Sequence, residues 1–242
     1  MNSVSDEITP NTKSDTMLVI PGFNTGQNIY ESASSLIYHA VRLQDRQPVI
    51  LKVLKYDNPR PEEPVHYRQE YELLSRLNAA GVITVYGLES YRNNVFLILE
   101  DFGGVSLNQL MKDWGHAGTA AFPLPQFLNL AHLMVEALDQ IHAEGIIHTN
   151  INPSNIVFNP DNGVLKLIDF GLATTLNREI PLLKSLQSVE RALPYISPEQ
   201  TGRMNRTVDY RTDFYSLGVT FYELLTGRLP FDATDDMELV HY

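Results

Sequence analysis

The sequence predicts an α+β fold in two lobes, a β-rich N-terminal part and a helical C-terminal part joined at a glycine hinge. Three observations carry this expectation. β-rich runs separated by polar turns occupy positions 22–100. Phe102-Gly103-Gly104 then breaks the chain. Beyond it, apolar residues recur with the roughly 3.6-residue period of a helix. A length of 242 residues suits one large domain or two small ones, and a 43% hydrophobic content excludes wholesale disorder.

Taken in order, residues 1–16 are polar and acidic and are expected to form a flexible lead-in, followed by an N-terminal lobe over 17–102 and a C-terminal lobe over 103–242. Strands are predicted at 35–41 and 48–54 around the turn Gln44-Asp45-Arg46. A helix should follow Pro61-Glu62-Glu63-Pro64, where prolines and acids fit a first turn. Strands at 82–88 and 95–100 flank Arg92-Asn93-Asn94. Positions 126–143 carry apolar residues at helical spacing until Gly145 stops them. Short strands at 156–158 and 164–168 bracket Asn159-Pro160-Asp161-Asn162-Gly163, and 172–211 is irregular. The last helix, 213–225, is apolar on nearly every side (Phe214, Leu217, Val219, Phe221, Leu224, Leu225) and is expected in the middle of the fold.

Composition narrows the function classes. The net charge of −11 argues against nucleic-acid binding and against adhesion to anionic membranes. Without cysteine there is no disulfide, thiol nucleophile or thiolate metal site. The apolar run Val95-Phe96-Leu97-Ile98-Leu99 is far too short for membrane insertion, and the polar start lacks a signal-peptide layout, so the expected location is the cytoplasm. His39, His66, His116, His132, His142 and His241 have no metal-ligand spacing, and His132 and His142 show no carboxylate pairing; all six are expected to be structural or solvent-facing.

The chemistry gathers around two opposite charges on core faces. Strand alternation puts Lys52 on the face of Ile50 and Leu54, and helical spacing puts Glu70 in one stripe with Leu73, Leu74 and Leu77. An inward lysine and an inward glutamate need each other, because an unpaired buried charge is costly. Alone, the pair could be a purely structural ion pair. It is followed by His148-Thr149-Asn150-Ile151-Asn152-Pro153-Ser154-Asn155, by Asp169-Phe170-Gly171, by Ser197-Pro198-Glu199 and by Asp213-Phe214-Tyr215-Ser216-Leu217-Gly218.

With these ordered elements, positions 20–240 resemble the eukaryotic-type serine/threonine protein kinases. Small-molecule kinases of related two-lobed fold usually lack the last two elements. Ile151-Asn152-Pro153-Ser154-Asn155 and Gly202-Arg203-Met204-Asn205-Arg206 look most like the N-terminal kinase domains of large bacterial signalling proteins, which join such a domain to ATPase and sensor histidine kinase modules. The resemblance implies a two-lobed protein-kinase fold that binds ATP and Mg2+. Lys52 would hold the α- and β-phosphates and Glu70 would orient it. Asp169 and Asn155 would hold Mg2+. Ile37 and Ile50 would lie over the adenine, Val157 under it and Leu99 behind it, with its polar edge toward the backbone from Glu100 to Phe102. Protein substrates, signalling partners and fused downstream modules are the partners it implies.

The chain departs from the family at several positions. Asn150 stands where the family has the catalytic aspartate, which orients the substrate hydroxyl and accepts its proton. An amide cannot take that proton, a loss of about 3–5 kcal/mol in the barrier. Asn152 replaces a lysine that faces the transferring phosphate, and Thr149 replaces the arginine that clamps a phosphorylated activation loop, although Ser185 and Ser188 are available there. Tyr30, Ser32 and Ser35 replace the three glycines of the phosphate loop, so this segment could also be an ordinary turn. Ile50 replaces the alanine above the adenine, and Ala192 a threonine that ties the catalytic loop to the substrate segment. The expectation is therefore a kinase with impaired transfer, or else a pseudokinase acting as a nucleotide-binding or scaffolding module. Because the family continues beyond the 213–225 helix, with an arginine that pairs with Glu199, a C-terminal lobe truncated there and apolar exposure around Phe214, Phe221 and Leu225 are also expected.

Overall fold

The alternating residues of the first hundred positions form five strands in the computed structural model, which describes residues 18–32, 34–55, 62–92, 94–116, 121–175, 192–201 and 207–231. β1 (Phe23–Glu31), β2 (Ser35–Arg42), β3 (Pro48–Leu54), β4 (Val85–Tyr91) and β5 (Asn94–Glu100) make one antiparallel sheet in the order β1-β2-β3-β5-β4. Register divides it into two faces. Ile37 lies opposite Lys52, Lys52 opposite Leu97, and Ile50 opposite Leu99, so these side chains share one face. That face, through Leu54, Leu97 and Leu99, is continuous with the core of the second half. The opposite face, with Val49, Leu51, Val53, Phe96 and Ile98, closes around Ile20 and Phe23. Helix α1 (Glu62–Leu74) packs on β4 and β5 and buries Tyr67, Glu70 and Leu74. Leu77 lies past its end but still packs on the same core.

The second half holds β6 (Val105–Ser106), α2 (Leu107–His116), α3 (Leu124–Ala143), β7 (Ile146–Ile147), β8 (Ile156–Asn159), β9 (Val164–Leu167), β10 (Thr174–Thr175) and α4 (Arg211–Thr226). The strands form two small sheets, β6-β8-β9 and β7-β10. Helix α3 turns Phe127, Leu130, Met134, Ala137, Leu138 and Ile141 into the core, and Gly145 follows it at φ +71°. No helix among the described residues is long and apolar enough to cross a membrane.

Three elements differ from expectation. Helix α2 is short, and its apolar spacing at Leu107, Leu110 and Met111 is easily lost beside the glycine hinge. The strand expected from 82 begins at Val85, because 81–83 belongs to the other half of the molecule. There Leu167 N–H donates to the Gly81 carbonyl at 2.8 Å and Ile83 N–H to the Leu167 carbonyl at 3.0 Å. Helix α4 is not buried on nearly every side: Phe214 is 51% and Leu225 40% exposed, in line with the apolar exposure expected around them, while Phe221, expected to share it, packs partly buried on the core. Its buried face includes Thr212, Asp213, Ser216 and Thr220. These polar groups go inside because each is bonded there. Ser216 Oγ donates to the Tyr195 carbonyl at 2.7 Å, and Thr220 Oγ1 to the Ser216 carbonyl at 2.9 Å. The lead-in at 1–16, Ser185, Ser188, Arg203, Arg206, His241 and everything past residue 231 lie outside the described residues.

Gly81 marks where α3 presses on the 81–83 crossing. A Cβ there would stand 2.5 Å from Ala137 Cβ and 2.7 Å from its Cα, whereas a Cβ on Gly218 in α4 would meet nothing within 4 Å. Gly81→Ala should therefore lower stability by about 1–3 kcal/mol, and Gly218→Ala should raise it by about 0.5–1 kcal/mol. Paired urea titrations check both signs.

Candidate active site

The loop at 148–155 hangs from one carboxylate. Asp213 is 0% exposed in the first turn of α4, and accepts His148 N–H at 2.9 Å and Thr149 N–H at 2.8 Å. His142 Nε2 lies 2.8 Å from the same carboxylate, so this histidine does have a carboxylate partner, contrary to expectation. Exposed His132 is also near one, 3.4 Å from Glu136. Thr149 sits at φ +63°, a left-handed conformation that a β-branched residue adopts only when its surroundings enforce it. Its hydroxyl donates to the Leu172 carbonyl at 2.8 Å, and its own carbonyl accepts Gln200 Nε2 at 2.8 Å. His148 Nε2 donates to the Ile168 carbonyl at 3.0 Å and Nδ1 accepts Asn150 N–H at 3.3 Å, which fixes a neutral tautomer. Burial holds this imidazole below the usual histidine range, although the Asp213 and Asp169 charges pull the other way.

Lys52 and Glu70 meet as their faces require. Lys52 Nζ donates to Glu70 Oε1 at 2.8 Å and Oε2 at 2.7 Å, and also to Asp169 Oδ1 at 2.6 Å. Burial works against the ammonium, but the Asp169 and Glu70 charges outweigh it and push the Lys52 pKa up. Burial likewise raises Glu70, whereas for Asp169 its effect is outweighed by Lys52, which holds that carboxyl below the ordinary range. Asp169 adopts φ +64°, and its side chain is 40% exposed beside a lysine only 10% exposed. The trio therefore opens to the cleft at Asp169.

The apolar residues converge as well. Ile37, Ile50 and Leu99 share the sheet face that carries Lys52. Val157 on β8 lies opposite Lys166 on β9. Lys166 Nζ donates to Glu100 Oε2 at 2.8 Å and stands over the Phe102 ring at 5.9 Å, which brings Val157 to the connector between the halves. Burial tends to raise the Glu100 carboxyl, but the Lys166 and Thr84 hydrogen bonds more than offset it and hold it low. At the connector, Glu100 N–H donates to the Thr84 carbonyl at 2.9 Å and the Phe102 carbonyl accepts Asn159 Nδ2 at 2.7 Å.

The three asparagines form their own network. Asn152 Nδ2 donates to the Asn150 carbonyl at 3.0 Å and to Asn150 Oδ1 at 3.1 Å, while Asn152 Oδ1 accepts Ser154 N–H at 2.9 Å. Asn155 Nδ2 donates to the Asn150 carbonyl at 2.9 Å, and its backbone carbonyl accepts Ile168 N–H, next to Asp169, at 3.0 Å. Tyr30, Ser32 and Ser35 stand around a tight turn between β1 and β2. Ser32 Oγ accepts Ser35 N–H at 2.9 Å and Ser34 N–H at 3.3 Å. Ser35 Oγ lies 2.8 Å from the Tyr67 hydroxyl, which ties the turn to α1.

Two participants escaped the sequence reading as site residues. Asp213 was legible in principle, since a charge opening an apolar helix needs a buried partner. Gln200 gave no signal, because an amide after Pro198-Glu199 matches any exposed loop. Glu199 is half-buried and accepts the Thr212 hydroxyl at 2.8 Å. Ala192 opens the short turn at 193–195. Among the described residues, no cluster of three or more His, Cys, Asp or Glu side chains could hold a metal ion, so any cation here would rest on Asp169 and Asn155 with other oxygens.

Comparison with known proteins agrees with this geometry. A protein of Clostridium acetobutylicum, named a probable serine/threonine-protein kinase, is 29% identical over 208 residues, 86% of this chain and 30% of that protein. Serine/threonine-protein kinase PrkC of Bacillus subtilis is 31% identical over 192 residues, 78% of this chain and 28% of its own length. Serine/threonine-protein kinase PknL of Mycobacterium tuberculosis is 30% identical over 216 residues, 88% of this chain and 51% of its own. The chain thus spans between a quarter and about half of these relatives. Residues 23–242 match the family described as the protein kinase domain. With its lysine, glutamate, catalytic loop and Asp-Phe-Gly joined across two lobes, the chain belongs to that family, as a eukaryotic-type serine/threonine protein kinase domain.

Proposed function

We propose that this domain binds Mg-ATP between its lobes, which divide near Gly103, and transfers the γ-phosphate to serine or threonine of a protein at a rate limited by Asn150. The observation that carries the nucleotide half is Lys52 held between Glu70 and the open carboxylate of Asp169, at 2.7 and 2.6 Å. Lys52 would bind the α- and β-phosphates, with Glu70 fixing its direction. Asp169 and Asn155 fit a magnesium ion: they are hard oxygen donors, and the Asn155 amide nitrogen is already committed to the Asn150 carbonyl, which reserves Oδ1 for a cation. Mg2+ would supply charge neutralisation on the phosphates. Ile37, Ile50 and Val157 would enclose the adenine, Leu99 would close the back, and the backbone from Glu100 to Phe102 would meet its edge. The cleft is a cytoplasmic one on this reading, and fused or associated signalling modules are its natural partners.

Transfer is the weaker half. His148, Thr149 and Asp213 hold the loop in place, so Asn150 can orient a hydroxyl but cannot remove its proton. A second reading, a pseudokinase that passes a signal by binding nucleotide or by scaffolding, is favoured by the turn at 32–35. Its Ser34 and Ser35 N–H groups are bonded to Ser32 Oγ and are not offered to phosphate.

Two measurements test these readings. Mg-ATP at about 100 times its Kd should add about 2.7 kcal/mol of stability, read as a rise in Tm, and Lys52→Met should abolish the rise. No rise in the parent chain would remove the basis for assigning Lys52 and Asp169. Asn150→Asp should raise γ-phosphate transfer by about 10²–10⁴-fold. Undetectable transfer in both forms, with nucleotide still bound, would select the pseudokinase.

A further inference from the structure

The turn between β1 and β2 is fastened to the helix that carries Glu70, and strand alternation explains how. Ser35 lies opposite Leu54 and Ile37 opposite Lys52, so these four side chains share one face of the sheet. Tyr67 meets that face from α1. Its hydroxyl lies 2.8 Å from Ser35 Oγ, and Lys52 Nζ stands 5.6 Å from the centroid of its ring. Glu70, three residues further along α1, takes the same ammonium at 2.7 Å. Two side chains one helical turn apart thus converge on Lys52, one by its charge and the other by its ring.

The Ser35–Tyr67 contact is a buried one, at 6% and 5% exposure, so breaking it leaves a hydroxyl without a partner. Burial pushes the Tyr67 hydroxyl up to about 12, which keeps it protonated at neutral pH. Ser35 is also locked into the turn by its main chain. Its carbonyl accepts Ser32 N–H at 2.9 Å, and its own N–H donates to Ser32 Oγ at 2.9 Å. One residue therefore holds the turn through its backbone and α1 through its side chain. A glycine at position 35 could do the first but not the second.

We infer that Tyr67 is a positioning residue for Lys52 that also fastens the β1–β2 turn to α1, so that the turn and the Lys52–Glu70 pair open together. A ligand that moves the turn reaches the ion pair through this hydrogen bond. A protein that displaces α1 reaches the turn by the same route and with the same coupling free energy. The nucleotide proposed above is one such ligand, but the coupling is tested without it.

Amide hydrogen exchange, read by NMR in the parent chain, Ser35→Ala, Tyr67→Phe and the double variant, tests the inference. Each single substitution removes one hydroxyl and leaves the ring or the strand in place. Ser35→Ala should speed exchange of the α1 amides around Tyr67 and Glu70 by about fivefold, and Tyr67→Phe should do the same to the Ser32 and Ser35 amides. The double variant should match the single ones rather than multiply them to about 25-fold. The β5 amides of Phe96, Leu97 and Ile98 should stay within about twofold of the parent. Labelling of Lys52 by an amine-reactive ester should also rise by about fivefold in Ser35→Ala, although the substitution lies on another strand. Faster exchange confined to the substituted segment, or effects that multiply in the double variant, would overturn the coupling. An equal rise in β5 would overturn it too, since Tyr67 would then be an ordinary part of the core.

Discussion

The buried carboxylate of Asp213 is the constraint on which the site depends. It is fully desolvated, so it must collect hydrogen bonds, and it collects them from the start of the 148–155 loop, through His148 N–H and Thr149 N–H, and from the His142 ring on α3. Hydrogen bonds to a charged group contribute about 1.5–3 kcal/mol each, enough to offset the roughly 1–3 kcal/mol of a left-handed threonine. The strain at Thr149 turns the loop back so that Asn150, Asn152 and Asn155 close on one another. Helix α4 thus acts as a frame for the loop, which explains why its buried face is lined by hydroxyls and a carboxylate while Phe214 and Leu225 stay outside.

Across the cleft, order is kept by charge rather than by shape. Lys52 serves two carboxylates that come from different lobes, Glu70 from α1 and Asp169 from the segment that follows β9. Burial raises the Glu70 carboxyl, whereas Lys52 holds that of Asp169 below the ordinary range. The carboxylate of the trio that a cation can reach is Asp169, 40% exposed against 2% for Glu70. A second lysine, Lys166, ties the connector in the same manner through Glu100 and the Val82 carbonyl.

Much of this was legible in the sequence wherever a period or a charge imposed it. The period-two pattern of β3 placed Lys52 with Ile50 and Leu54, and the stripe through Glu70 placed the ion pair, because a buried charge permits few alternatives, whereas Ile37 and Leu99 followed from the family resemblance. Elements whose partners come from far along the chain were not legible. The 81–83 segment looks like the start of β4, yet pairs with β9 more than 80 residues away. Helix α4 looked buried all round because periodicity counts apolar residues and cannot see that Thr212, Ser216 and Thr220 have found acceptors. Gln200 had no pattern at all, since its only distinction is the carbonyl it meets.

The departures from the family share a feature that random decay does not explain. Asn150 and Asn152 are two uncharged residues where an ion pair would stand, so neither leaves a buried charge alone, and their amides bond to each other. Thr149 lacks the arginine's charge, but its hydroxyl fastens Leu172 and its carbonyl takes Gln200. Ser32 lacks a glycine's freedom, but its hydroxyl satisfies the two N–H groups that the turn exposes. Each change departs from the family pattern and still gives neighbouring polar groups a partner. Drift without a requirement on the site would leave orphaned polar atoms, yet among the described residues the one buried side-chain atom without a partner is Asn94 Oδ1, in β5 and outside this network. What the network preserves is a loop tied at both ends, to the Asp213 carboxylate through His148 and Thr149 and to the segment before Asp169 through Asn155 and Ile168.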